Sequence, residues 1–168
     1  MANTMTLIQS VTVPSGGASS IDFTSIPSTY TDLVIKLSLR SNRGTTGEWL
    51  NISYNGSTTS FTAKYIEGNG AAASSGNDTR YIADIEAANN TASVFSSTDV
   101  YIPNYAGSAN KSLSADSVAE QNGTTAYSTL VANLWSNTAA INQVTLTPGG
   151  GTAFLQYSTA YLYGVKSS

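Results

Sequence analysis

The stretch Asp32-Leu33-Val34-Ile35-Lys36-Leu37-Ser38-Leu39-Arg40 decides the fold class. Leu33, Ile35, Leu37 and Leu39 fall on one side of an extended chain. Asp32, Lys36, Ser38 and Arg40 fall on the other, with Val34 the one apolar exception. Successive strand side chains point to opposite faces, so a period of two describes a strand with one buried and one solvated face. The pattern continues in both directions. Toward the N-terminus, Met5 to Val13 places Met5, Leu7, Val11 and Val13 on one expected face. Pro14-Ser15-Gly16-Gly17 turns the chain, and Ile21 and Phe23 form a short strand ended by Ile26-Pro27. Toward the C-terminus, a loop from Ser41 to Gly47 precedes a strand carrying Leu50, Ile52 and Tyr54. Asn55-Gly56 is then a type I′ hairpin signal, with Phe61 to Glu67 as the expected returning partner.

Gly68 to Gly76 is small and polar and reads as a loop. Thr79 to Asn90 fits a helical face through Ile82, Ile85 and Ala88, and a strand through Tyr81, Ala83 and Ile85; strand followed by loop is preferred. Val94 to Tyr101, Lys111 to Glu120, Tyr127 to Trp135, Ile141 to Thr147 and Phe154 to Lys166 are further strands. Pro148-Gly149-Gly150-Gly151 reads as a plain turn, and Leu155, Tyr157, Thr159, Tyr161, Tyr163 and Val165 share a face of the last strand. The expectation is an all-β chain: an antiparallel, jelly-roll-like β-sandwich of eight to ten strands. Without a repeat or linker, residues 1–168 read as one domain.

Ser, Thr, Asn and Gly supply more than a third of the residues, while only 10% are charged. Globular chains usually carry about 25% charged residues, so this surface stays wet mainly through hydroxyls and amides. A net charge of −3, with seven Lys and Arg in all, argues against a nucleic-acid grip, which needs clustered cations. No apolar run is long enough for a membrane helix, and Met1-Ala2-Asn3-Thr4 lacks the basic start of a signal peptide. With no Cys and no His, disulfides, thiolate metal sites and a Ser–His–Asp triad are excluded.

The remaining catalytic options are thin. No serine is marked out beside Lys36, Lys64, Lys111 or Lys166 as a Ser–Lys pair. Asp84 and Glu86, and likewise Asp116 and Glu120, share strand faces and could serve as glycosidase carboxylates, but a solvated sheet face is favoured. Asn77-Asp78-Thr79 and Thr98-Asp99 lack the ligand spacing of a calcium loop. The reading is therefore no enzyme, no cofactor and no metal. Aromatics point to surfaces instead, since tyrosine offers large, rigid contact area with a polar tip. The interface candidates are Tyr157, Tyr161 and Tyr163 on the last strand, Trp49 after the glycine-containing loop, and Arg40 and Arg43 as a charged anchor flanking that loop. Trp135 reads as core.

Four segments extend this reading: Ile21-Asp22-Phe23-Thr24-Ser25-Ile26-Pro27 with Tyr30-Thr31-Asp32-Leu33, Tyr101-Ile102-Pro103-Asn104-Tyr105-Ala106-Gly107 with Lys111-Ser112, Leu134-Trp135-Ser136-Asn137-Thr138-Ala139-Ala140-Ile141, and Gln156-Tyr157-Ser158-Thr159-Ala160 with Leu162-Tyr163-Gly164-Val165-Lys166. Together they resemble small virion structural proteins of tailed phages, mostly marine and cyanobacterial ones. The stretch Gly44 to Asn77 matches least. The resemblance implies a β-sandwich subunit on the virion, with the capsid surface favoured over the tail. It would be a decoration (cement) protein docked on the major capsid protein or other virion proteins, as a homo-oligomer, with a trimer favoured. The alternative is a head-fibre or tail-fibre domain that binds host surface glycans through the Gly44–Asn77 loops and Trp49. Neither reading involves nucleic acid or a membrane.

Overall fold

The computed structural model describes residues 4–123 and 126–166; the Met1–Asn3 start falls outside them. Twelve strands run in chain order: β1 Met5–Thr12, β2 Ile21–Phe23, β3 Asp32–Ser38, β4 Glu48–Tyr54, β5 Phe61–Gly68, β6 Ala73–Asp78, β7 Tyr81–Ile85, β8 Ser97–Ile102, β9 Lys111–Glu120, β10 Ala126–Trp135, β11 Val144–Pro148 and β12 Thr159–Val165. Every pairing between them is antiparallel. They form an eight-stranded sheet ordered β1-β12-β3-β8-β9-β10-β5-β6 and a four-stranded sheet ordered β2-β11-β4-β7.

Setting aside the pairs β5–β6 and β9–β10, the other eight strands alternate between sheets along the chain, except at the step from β4 to β7. Two four-stranded layers, β1-β12-β3-β8 and β2-β11-β4-β7, then face each other, which is the strand order of a jelly roll. The two extra pairs enter between β4 and β7 and between β8 and β11. They widen the large sheet past β8, and β7 packs across β9 and β10. This extension also covers one edge of the small sheet, that of β7. The Asp84 amide donates to Ser117 Oγ at 3.1 Å, and Asn133 Nδ2 donates to the Thr79 and Tyr81 carbonyls at 3.1 and 3.2 Å. Edge strands left open invite pairing with other chains, and here β9 and β10 supply the partners for β7.

The core lies between the two sheets. Leu33, Ile35, Leu37 and Leu39 are buried as their alternation requires, against Leu50, Ile52, Val144 and Leu146 of the small sheet. At one end Tyr54, Phe61 and Trp135 cluster, with ring centroids 5.4 to 6.0 Å apart. Trp135 is buried, as read from the sequence. Lys111 is also buried, and its ammonium donates to the carbonyls of Gly107, Ala109 and Thr138. Burial pushes its pKa down and that of the Tyr54 hydroxyl up, because desolvation disfavours the charged form of each.

Several local expectations are corrected. There are twelve strands rather than eight to ten. Asn55 and Gly56 do have positive φ, 52° and 74°, and the Ser57 amide closes the turn on the Tyr54 carbonyl. The chain beyond them crosses to the other sheet, however, where β5 pairs with β10 and β6 rather than with β4. Residues 73–76, read as loop, belong to β6, which acquires its strand form by pairing with β5. A bulge between Leu7 and Gln9 splits the β1 face: Met5 and Leu7 stand exposed, while Val11 packs on the core and Val13 is buried.

Candidate interaction surfaces

The outer face of the eight-stranded sheet is the first candidate. Ile66, Leu130, Asp116, Asp99, Lys36 and Tyr161 are successive cross-strand partners, so they form one row across six strands. At the Tyr161 end the row is polar, and Lys36 pairs with Asp99. At the other end it is apolar, with Ile66 57% and Leu130 55% exposed. Between these strands lies a depression of about 440 Å3, lined by Ile66 and Leu130 together with the small Ala132 and Ser114. Val118 and Leu134 on the same face are also exposed. Isolated exposed apolar residues are ordinary on protein surfaces, but a grouped set around a hollow is a candidate contact site.

Tyr161 and Tyr163 stand on this face, on β12 beside β1 and β3, with Tyr161 exposed and Tyr163 half-buried. Tyr157 does not lie on the strand. It occupies the turn before β12, 67% exposed and at φ 72°, held by its amide on the Val13 carbonyl. A bulky residue in the left-handed region carries strain of roughly 1–2 kcal/mol that glycine would avoid.

A cleft on the side of the sandwich is the second candidate, and Glu48 organises it. This carboxylate is fully buried and accepts the amides of Trp49 at 2.9 Å, Gly150 at 2.9 Å and Gly151 at 2.6 Å, plus the Ser41 hydroxyl at 3.0 Å. The run from Pro148 to Gly151 is therefore a platform and not a plain turn. A Cβ on Gly149 would fall 1.7 Å from the Trp49 ring, and one on Gly150 would fall 2.7 Å from Arg43 Nε. Only glycine lets those side chains lie down on the backbone. Arg43 then covers Trp49, its guanidinium carbon 4.1 Å from the ring centroid, within cation–π range.

Trp49 pairs across strands with Asp84, so the two share the outward face of the small sheet. The extension overhangs them and brings Tyr65, Glu67 and Tyr127 to the same space. The result is two adjoining lobes of about 200 and 220 Å3 that share Trp49, Glu67 and Asp84. Asp84 Oδ2 accepts the Tyr81 hydroxyl at 2.9 Å and the Thr129 hydroxyl at 2.7 Å. Burial raises the Asp84 pKa above the ordinary carboxylate range. The two hydroxyls oppose that rise and the nearby Glu67 charge adds to it. Burial and the Asp84 charge likewise hold the Tyr81 hydroxyl protonated.

The structure thus brings Arg43 and Trp49 together and separates Arg40 from them. Arg40 is buried, which corrects its expected role as an exposed anchor. Its guanidinium donates to the carbonyls of Thr91 at 2.7 Å, Val94 at 2.9 Å, Ala88 at 3.0 Å and Asn90 at 2.8 Å, and so holds the loop after β7. Glu86 is buried beside this loop with Asn90 as its partner, so Asp84 and Glu86 do not share a site. The sequence reading overlooked Tyr65, Tyr81 and Glu67; the only local mark was their place on alternating strands. Comparison with protein-family models, with curated proteins and with solved structures returns no match.

Proposed function

We propose that this chain is a structural subunit of a phage particle: a decoration protein that docks the outer face of its large sheet on the capsid. The observation that carries this reading is the apolar hollow bounded by Ile66 and Leu130, with Lys64 at its rim, on a face whose charges include Asp116 and the Lys36–Asp99 pair. Within the hollow, Ile66, Leu130, Ala132 and Ser114 carry no charge, so covering them costs less in desolvation than covering ions would. The hollow accepts an apolar side chain of a capsid subunit, and the polar surround supplies hydrogen bonds around it. The jelly-roll layers, the low charge and the sequence resemblance support the same role. Repetition over many equivalent sites would convert weak single contacts into firm attachment, more so if the subunits dock as trimers.

Introducing negative charge into the hollow tests the proposal. Particles assembled with Ile66→Asp/Leu130→Asp protein are expected to lose this chain, while the purified variant keeps its β-sheet circular dichroism. Full occupancy of the variant on particles would refute the assignment of the face.

A further inference from the structure

We propose that Asn122-Gly123, between β9 and β10, is a site of spontaneous deamidation that the fold leaves open while it closes the same dipeptide elsewhere. Asn-Gly occurs three times, at Asn55-Gly56, Asn69-Gly70 and Asn122-Gly123. At each, the glycine amide nitrogen can attack the asparagine Cγ with no glycine side chain in its way. The N–Cγ bond forms, the Cγ–Nδ2 bond breaks, and the glycine amide proton departs with Nδ2 as ammonia. Water from the solvent then opens the cyclic imide at either of its carbonyls, leaving an aspartyl or an isoaspartyl residue. No oxidant or reductant takes part. The local chemistry is the same three times, so the surroundings of each carboxamide decide which site reacts.

The Cγ must swing onto the glycine nitrogen, so bonds that hold the carboxamide oppose the reaction. Asn55 is half-buried and held at both ends. Its Nδ2 donates to the Ala140 carbonyl at 2.8 Å, and its Oδ1 accepts the amides of Asn142 at 2.9 Å and Gln143 at 3.1 Å. Asn69 is exposed, but its Oδ1 accepts the amides of Ala71 at 3.0 Å and Ala72 at 2.8 Å. Asn122 is exposed and its carboxamide bonds to no described residue; only its backbone amide is tied, to Glu120 Oε1 at 3.0 Å. Conversion takes the net charge of −3 one unit further negative. The new carboxylate stands near Glu120, at the end of the outer sheet face where Val118 is exposed. An isoaspartyl link also lengthens the backbone between β9 and β10. The chemistry holds whether or not that face docks on a capsid.

Peptide mapping by mass spectrometry tests the assignment. The full chain would be aged in mildly alkaline buffer, folded in one sample and unfolded by urea in another. Conversion at each site would be followed by the amide-to-acid mass shift and by isoaspartyl methyltransferase labelling. In the folded chain Asn122 is expected to convert several-fold faster than Asn69 and at least about tenfold faster than Asn55, because each hydrogen bond that must open lowers the population able to react. In urea the three rates should converge. Gly123→Ala should slow conversion at Asn122 several-fold and leave Asn69 unchanged. Its Cβ would meet nothing among the described residues closer than the Gln121 side chain at 3.6 Å, so the fold tolerates it. The proposal is overturned if Asn55 or Asn69 converts as fast as Asn122 in the folded chain, if the rates stay equally far apart in urea, or if Gly123→Ala leaves the Asn122 rate unchanged.

Discussion

The Glu48 carboxylate reaches the Gly151 amide at 2.6 Å across 103 residues of chain, and this bond ties the start of β4 to the turn that follows β11. Together with the amides of Trp49 and Gly150 it sets the bed on which Arg43 and Trp49 rest. Glu48→Ala would leave three amides and the Ser41 hydroxyl without their acceptor in a buried site. A loss of about 3–5 kcal/mol in urea unfolding is expected. An effect under about 1 kcal/mol would show that the carboxylate does not hold the platform.

Gly149→Ala addresses the close approach alone. Its Cβ would meet the indole, so Trp49 must swing away from Arg43. The emission of the variant should shift to the red as the ring enters water. Unchanged emission would mean that the ring does not lie on Gly149.

Arg40 offers a control for surface effects. Arg40→Ala strands four carbonyls of the loop after β7, and about 2–4 kcal/mol of stability is expected to go. Amide exchange at residues 88–94 should accelerate most. Attachment of the folded variant to particles should stay at the wild-type level, because Arg40 is buried.

Tyr157 separates strain from contact. Relief of its positive φ by Tyr157→Gly is offset by the greater chain entropy of glycine, so stability should stay level or rise by up to about 1 kcal/mol. If this exposed ring meets a partner, particle attachment of Tyr157→Gly drops although the fold is no weaker. A clear loss of stability would show instead that Tyr157 is structural.

Asp84 gives a pH dependence of fixed sign. Its folded pKa lies above the ordinary aspartate value, so the folded state binds the proton more tightly than the unfolded chain does. Its contribution to stability is therefore most favourable below the ordinary aspartate range and is lost as pH rises through the raised folded value. Asp84→Asn removes this titration. The stability of the variant relative to wild type should be higher at neutral pH than at acid pH, measured as the difference in urea midpoints. A pH-independent difference would contradict the shift.

The sequence exposes what is local and hides what is distant. The β3 alternation, the buried Trp135 and the Asn55-Gly56 turn are readable because each is written in a few adjacent residues. Thr79–Asn90 also resolves as expected, into β7 and a loop. The crossing of β5 to the large sheet is not readable, since a turn signal does not state which sheet receives the next strand. Arg40 looked like a surface anchor because its four carbonyl partners lie 48 to 54 residues away. The glycine platform passed as a turn for the same reason, as its purpose depends on side chains about a hundred residues earlier. Of the cleft, Trp49, Arg43 and the carboxylates Asp78 and Asp84 stand out in the sequence, and Tyr65, Glu67 and Tyr127 join them only through the wrap of the extension around β7.

Occupancy of this chain on purified particles, measured against the major capsid protein for wild type and for Ile66→Asp/Leu130→Asp, tests the docking assignment most directly. The expected result is wild-type occupancy in a simple ratio to the capsid subunit and near-complete loss of the folded variant. Wild-type protein confined to detached tails, or equal occupancy by the variant, would contradict it.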